Sequence, residues 1–289
     1  MGVRARIVVY AADRESAERA CHAAFDRIAD LDGIMSDYRP NSELMRLCAK
    51  AGGPPVKSSP ELLFVLQKAE ELSRRSDGAF DVTVGPFVKL WRKARKSGAL
   101  PSQQEIGAAR KLVGWQKMVI DADPGTVRLD ATGMLLDLGG IAKGYACDEA
   151  LRVLRQHEIR SALVEMGGDL VVSEAPPGKK GWEIEVPNAR DPGRVVGAVS
   201  RRRFPLSNAA VSSSGDTEQY IEIEGVRYSH IVDPRTGLGL TNRIAVTVIA
   251  PDGITSDGLS TAISVLGSDK RQELASTYSG VTVYISAAD

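Results

Sequence analysis

Neither sign of charge is in surplus in this chain of 289 residues, where 37 Lys plus Arg balance 37 Asp plus Glu. No global field therefore recruits nucleic acid or anionic lipid, and any phosphate ligand has to be held by a local site. Cysteine is scarce: Cys21, Cys48 and Cys147 are far apart, odd in number and without C-x-x-C spacing. That excludes a disulfide framework or a zinc cluster and leaves three small buried hydrophobes. Long hydrophobic runs are missing too, since Ile7 to Ala12 near the start is too short for a signal-peptide core and far too short for a bilayer span. The sequence reads as a soluble chain, though one processed behind an export signal would look the same, and the compartment stays open. Histidine is rare, with only His22, His157 and His230. No G-x-G-x-x-G opens a helix, which argues against a dinucleotide-binding oxidoreductase.

What is present suffices for one large domain or two intimately packed lobes. The pattern predicts a strand over Ala5 to Tyr10, then a helix from about Arg14 to Leu31 with Ala17, Cys21, Ala24, Ile28 and Leu31 on one stripe. Ser59-Pro60-Glu61 starts a second helix that stops near Gly78. A polar, basic stretch occupies Arg92 to Arg110. Thr126 to Leu138 reads as two strands joined by Ala131-Thr132-Gly133, feeding Gly139-Gly140 and a helix to about Gln156. Ser161 to Ser173 reads as a hairpin turning at Gly167-Gly168, with further strands at Trp182 to Val186, Ile221 to Tyr228 and Ile244 to Ala250. A helix near Asp257 to Leu266 precedes a last helix and strand. Antiparallel hairpins with segregated helices give an α+β fold class, treated as one domain over 1–289.

Four segments carry chemistry. Asp137-Leu-Gly-Gly-Ile-Ala-Lys143 places glycines and a lysine where a strand gives way to a helix, so free N–H groups there suit an anion. Lys143 in a first helical turn opposes the helix dipole, a small cost that a bound phosphate reverses; a solvated lysine beside a structural turn explains the same residues. Ser76 to Pro86 packs two acids, a threonine and two glycines around Phe80, either a pocket wall or a helix end running into a strand. Ser212 to Asp216 is followed by His230-Ile-Val-Asp233-Pro-Arg235-Thr-Gly237, where the histidine keeps company with an acid and an arginine; plain turn chemistry also fits. Asp257 and Thr261 stand four apart at a helix opening and converge on one point as hard oxygen ligands suited to Mg²⁺. An acid in a helix's first turn is the plainer alternative.

In order along the chain, Met35 to Tyr38 with Ser42-Glu-Leu44, Gly78 to Pro86 with Trp91, Asp137 to Asp148, Gly167-Gly-Asp169, Ser214-Gly-Asp216, Ser229 to Gly237 and Asp257 to Thr261 resemble the FAD:protein FMN transferase family, long called ApbE and in older usage a thiamine biosynthesis lipoprotein. The resemblance spans almost the whole chain. It implies an ApbE-like mixed fold of antiparallel hairpins with flanking helices, and an FAD pocket using Met35, Ala79, Phe80, Asp81, Asp137, Lys143 and the His230-Ile231 segment. It further implies a Mg²⁺ held by the Gly140 carbonyl, Asp257 and Thr261. The implied reaction moves FMN from FAD to a Thr or Ser hydroxyl of an acceptor protein and releases AMP, with His230 preferred for proton removal. Hydrolysis of FAD to FMN and AMP, or flavin binding without turnover, are the competing readings. No nucleic-acid partner is implied, and a membrane enters only through the acceptor or an N-terminal anchor. Cys48 and Glu165 depart from the family's usual residues, outside the metal set.

Overall fold

The computed structural model describes residues 2–187, 195–196, 201–215 and 220–287. Asp216, the end of one of the motifs above, lies outside them.

The first strand, β1 (Ala5–Tyr10), leads into α1 (Arg14–Met35), whose buried stripe Ala20, Ala24, Ile28, Leu31 and Met35 runs one turn beyond the predicted end. Its last buried residue is thereby delivered to the functional region. Next come α2 (Glu43–Cys48), β2 (Val56–Lys57) and α3 (Pro60–Arg75), the last capped by the Ser59 hydroxyl with proline in its first turn, as the sequence predicts. Two helices, α4 (Gly85–Ser97) and α5 (Gln103–Arg110), fill much of the stretch read only as polar and basic. Phe87, Trp91 and Ala94 form a buried face of α4 at helical spacing, which the five cations between and around them obscure in the sequence.

The strands β3 (Met118–Asp121) and β4 (Thr126–Leu129) pair with each other, so the second strand expected up to Leu138 is not one. Met134, Leu136 and Leu138 do alternate inward, which is why the segment reads as β. Its backbone bonds go elsewhere: the Leu136 N–H donates to Cys48 Sγ at 3.3 Å and the Asp137 N–H to the Val82 carbonyl at 2.8 Å. A non-strand segment held this way sets Asp137 beside the 82–84 turn.

After α6 (Ala142–Gln156), β5 (Ser161–Met166) and β6 (Asp169–Val172) make the predicted hairpin over Gly167-Gly168. Strands β7 (Trp182–Pro187), β8 (Val195–Val196), β9 (Arg201–Leu206) and β10 (Ala209–Gly215) follow. The single strand expected over Ile221 to Tyr228 is a tight hairpin, β11 (Tyr220–Ile223) and β12 (Val226–Ser229). Glu224 and Gly225 both take positive φ, 52° and 74°, the mirror-image turn that fits strand twist. Glutamate is an uncommon choice there, so the break is hard to read from sequence.

The chain ends with β13 (Ile244–Ala250), α7 (Gly253–Val265), α8 (Ser268–Ser276) and β14 (Thr282–Ala287). Seven strands form one sheet in the order β1-β5-β6-β10-β13-β14-β8, antiparallel except for the β14–β8 pair. Helices α6 and α7 lie across it, while Trp182, Ile184 and Val186 of β7 pack with Leu163, Val172 and Val211 of the sheet. A separate apolar cluster joins α4 and α5 to the β11–β12 hairpin. This is the α+β arrangement expected. Among the described residues no helix is long and apolar enough to cross a membrane. Cys48 and Cys147 are buried as expected, whereas Cys21 is only half-buried.

Candidate active site

Two helix starts are brought together by glycine. A Cβ on Gly144 would lie 2.0 Å from the Gly253 carbonyl oxygen, and one on Gly253 would lie 2.4 Å from that of Gly144, so the openings of α6 and α7 touch backbone to backbone. Each helix then caps the other. Asp148 of α6 accepts the Gly253 and Ile254 N–H groups at 2.7 and 2.9 Å, and Asp257 of α7 accepts the Gly144 N–H at 3.0 Å. Orphan first-turn donors on both helices are satisfied by carboxylates of the partner helix.

The structure also moves the start of α7. Its N-cap is Asp252, whose side chain accepts the Thr255 N–H at 2.9 Å, so Asp257 sits in the second turn and not at the helix opening. The helix-dipole alternative for Asp257 therefore loses its basis. Asp257 and Thr261 remain one above the other on the same face.

Around Asp257 a buried charge cluster forms. Lys143 Nζ lies 2.8 Å from Asp169 Oδ2 and 3.1 Å from Asp257 Oδ1, and donates to the Gly139 carbonyl at 2.9 Å. Asp169 and Asp257 are 5% and 1% exposed, so one ammonium serves two buried carboxyl groups. Burial works against the charge on Lys143, but the two aspartates outweigh it and hold the lysine protonated above its usual range. The Asp169 carboxyl is pushed up to about 7, by burial first and by Asp257 second, with Lys143 pulling the other way.

These groups line one wall of a cavity of about 1090 Å³, and all eleven residues singled out from the sequence border it. Met35, Ala79 and Phe80 give it a buried apolar wall. Asp81 is occupied locally: Oδ1 accepts the Thr83 N–H and hydroxyl, both at 2.7 Å, and Oδ2 accepts the Trp115 N–H at 2.9 Å. Burial raises its pKa against those bonds. Asp137 accepts the Gly139 N–H at 2.8 Å and pairs with Arg92 at 3.4 Å; burial and then the neighbouring Asp37 raise its pKa. Ile231 is buried, and His230 beside it is exposed at the cavity rim. Backbone bonds from Ser229 N–H to Leu240 and from Leu240 N–H to Ile231 fix the segment on either side of the histidine.

The companions that drew attention to His230 have another task. Asp233 accepts three bonds from Arg235, two from its guanidinium at 2.9 and 2.8 Å and one from its N–H at 2.9 Å, while the Arg235 guanidinium also donates to the Val265 carbonyl at 3.1 Å. Trp91 Nε1 donates to the Gly237 carbonyl at 2.9 Å. That turn anchors the histidine's loop to α7 and α4. His22 and His157 lie outside the cavity lining, as expected.

Asp169 and Asp148 are the residues sequence reasoning missed as contributors. Asp169 stands in a glycine turn with no local signal of partnership, and Asp148 looks like any helix-face acid until α7 is placed against it. Serines from β10 complete the wall: Ser214 Oγ is 2.7 Å from Ser260 Oγ and 3.5 Å from Thr261 Oγ1.

Among the described residues no group of three or more His, Cys, Asp or Glu side chains forms a ready metal cage. The donor set still fits a hard cation that keeps waters and shares substrate phosphates. It has one carboxylate (Asp257), one hydroxyl (Thr261) and the backbone of Gly140, where a Cβ would come within 2.9 Å of Thr261 Oγ1.

Burial outweighs the two N–H bonds at Asp148 and pushes its carboxyl up to about 7. Its folded pKa then exceeds the unfolded value of 3.8, so between pH 4 and 7 the folded state holds more protons than the unfolded state. Stability contributed by this group is accordingly present at low pH and lost as pH rises through 7. Chemical denaturation of the wild type and Asp148→Asn from pH 5 to 8 should show the variant losing less stability over that range; parallel curves would refute it.

The chain as a whole is similar to proteins of a known family. A model of the ApbE family matches residues 1–285. The FAD:protein FMN transferase of Haemophilus influenzae is 33% identical over 255 residues, covering 86% of this chain and 72% of that protein. That of Treponema pallidum is 32% identical over 299 residues, covering 97% and 81%. The apo crystal structure of the Pseudomonas stutzeri flavinyl transferase ApbE superposes with a TM-score of 0.83 at 30% identity, covering 99% of this chain and 92% of that one. The Vibrio cholerae flavin transferase ApbE gives 0.83 at 28% identity, covering 100% and 94%.

Proposed function

The chain belongs to the ApbE family, and on that premise we propose that it is a Mg²⁺-dependent FAD:protein FMN transferase, joining FMN by a phosphoester to a threonine or serine of an acceptor protein and releasing AMP. The observation that carries this reading is the composition of a single cavity. At about 1090 Å³ it stands at the upper end of small-molecule sites, room for a ligand of dinucleotide size. Met35, Ala79 and Phe80 offer an apolar wall for a flat ring system, Lys143 offers positive charge for a pyrophosphate, and Asp257 offers an oxygen for a cation that the pyrophosphate would share.

The chain's residues divide the work. Lys143, held protonated by Asp169 and Asp257, places positive charge beside the phosphates. Asp257, Thr261 and the Gly140 carbonyl would hold Mg²⁺, which when bound neutralises phosphate charge and eases departure of AMP. The acceptor's hydroxyl oxygen forms the new bond to the phosphorus on the riboflavin side, the P–O bond to AMP breaks, and AMP leaves with the bridging oxygen. His230, exposed at the rim where a protein acceptor enters, takes the hydroxyl proton.

Incubation with FAD, Mg²⁺ and a threonine-bearing acceptor, followed by intact-mass measurement of the acceptor and chromatography of nucleotides, tests the reading. Equal amounts of AMP and FMN-bearing acceptor are expected. Free FMN with AMP and an unmodified acceptor would make the chain an FAD hydrolase, and unconsumed FAD would make it a flavin-binding protein.

A further inference from the structure

We propose that the exposed basic face of α4 is a docking surface for an acidic segment of the protein that accepts FMN. The proposal rests on the transferase reading, because only that reading requires a second protein to enter the cavity. In a chain of zero net charge, α4 carries Lys89, Arg92, Lys93, Arg95 and Lys96 and no acid. Its apolar face, Phe87, Trp91 and Ala94, is buried against the protein. The cations fall on two adjoining stripes: Val88, Arg92 and Arg95 line the cavity, and Lys89, Lys93 and Lys96 stand exposed beside them.

Neighbouring acids do not account for this concentration. Arg92 pairs with Asp37 and Asp137 and stacks on the Tyr38 ring, and Lys93 pairs with Glu105 at 2.7 Å. Lys89, Arg95 and Lys96 form no ion pair among the described residues. Helix electrostatics explains only part of it. Arg95 and Lys96 lie in the last turn, where cations complement the dipole, but Lys89 lies in the first half, where no such gain exists.

The occupant follows from geometry and charge. An acceptor hydroxyl has to reach into the cavity, so the residues next to it cross the rim, and on the α4 side that rim is cationic. Aspartates or glutamates there gain attraction and faster encounter. Anionic lipid is the weaker match: a surface-lying helix inserts large apolar side chains, and those of α4 are already committed to the core.

The test uses the full chain and two labelled peptides, a central threonine flanked by aspartates and the same peptide with asparagines, followed by fluorescence anisotropy. At low salt the aspartate peptide should bind about tenfold more tightly, an advantage that added salt erodes. Lys89→Glu with Lys96→Glu should remove that advantage while FAD binding, followed by flavin fluorescence, is unchanged. Equal binding of both peptides, or an intact preference in the double variant, would overturn the proposal. So would Lys89- and Lys96-dependent sedimentation with phosphatidylglycerol vesicles in the absence of peptide discrimination. Mass measurement of the same peptides separates the two readings: FMN added equally well to both overturns the docking surface and leaves transfer standing. Preferential binding without FMN addition overturns transfer and, with it, the acceptor as occupant.

Discussion

Asp257→Asn should slow FMN transfer by about 10²–10³-fold at saturating FAD, the scale set by removing one preorganised electrostatic group from a reacting centre. Asparagine is the informative replacement because its carbonyl oxygen still accepts the Gly144 N–H, which Asp257 now accepts at 3.0 Å. Alanine would strip that cap as well, mixing a folding defect with a chemical one. The asparagine variant keeps Asp169 for the lysine and loses only the charge with which Asp257 would hold a cation. Its melting temperature should stay near that of the wild type; Mg²⁺ is expected to raise the wild type's melting temperature and not the variant's. A variant that transfers FMN at close to the normal rate, or that Mg²⁺ still stabilises, would remove Asp257 from the metal set.

Gly144→Ala should cause the largest loss of stability from a single methyl group. The new Cβ would meet the Gly253 carbonyl oxygen at 2.0 Å and Asp257 Cβ at 2.8 Å, and a backbone carbonyl has no rotamer in which to withdraw. The helices have to separate, which breaks the reciprocal caps at Asp148 and Asp257 as well as the packing. Overpacking of this kind costs roughly 3 kcal/mol. At roughly 2–4 °C per kcal/mol for a domain of this size, the melting temperature should fall by roughly 6–12 °C. Gly107→Ala in α5 is the control, since nothing lies within 4 Å of its Cβ and helix propensity should make it slightly stabilising. Equal melting temperatures for the two variants would contradict the close approach of α6 and α7.

The contrast between those glycines shows which parts of the fold could be read in advance. Pattern marks α1, α3, α6, the β5–β6 hairpin and β13: the helices carry a buried stripe at helical spacing, and the strands are apolar runs bounded by turn residues. It failed where burial and backbone pairing part company. Met134, Leu136 and Leu138 alternate as a strand does, yet their segment bonds to Cys48 and Val82 instead of to a sheet. It failed again at α4, whose cations hide a three-residue apolar face, and at Glu224-Gly225, where a residue with a side chain adopts positive φ.

The site was legible as a set of residues more than as an arrangement. Eleven positions from five segments border one cavity, but their mutual geometry depends on α6 touching α7, a long-range contact that no local pattern announces. Asp148 and Asp169 went unassigned for the same reason. The partners of Asp148 are 105 and 106 residues away, and Asp169 reaches Lys143 only because the β5–β6 turn folds over the start of α6. In the other direction, Asp233 and Arg235 read as companions of a reactive histidine and turn out to bind each other and brace its loop.

The site is tested most directly by a crystal structure of the Asp257→Asn variant soaked with FAD and Mg²⁺, a form expected to hold FAD and consume it only slowly. The isoalloxazine should lie against Met35, Ala79 and Phe80, with the pyrophosphate beside Lys143 and the Gly139-Gly140 turn. FAD bound with its phosphates away from Lys143, or seated outside this cavity, would contradict that placement.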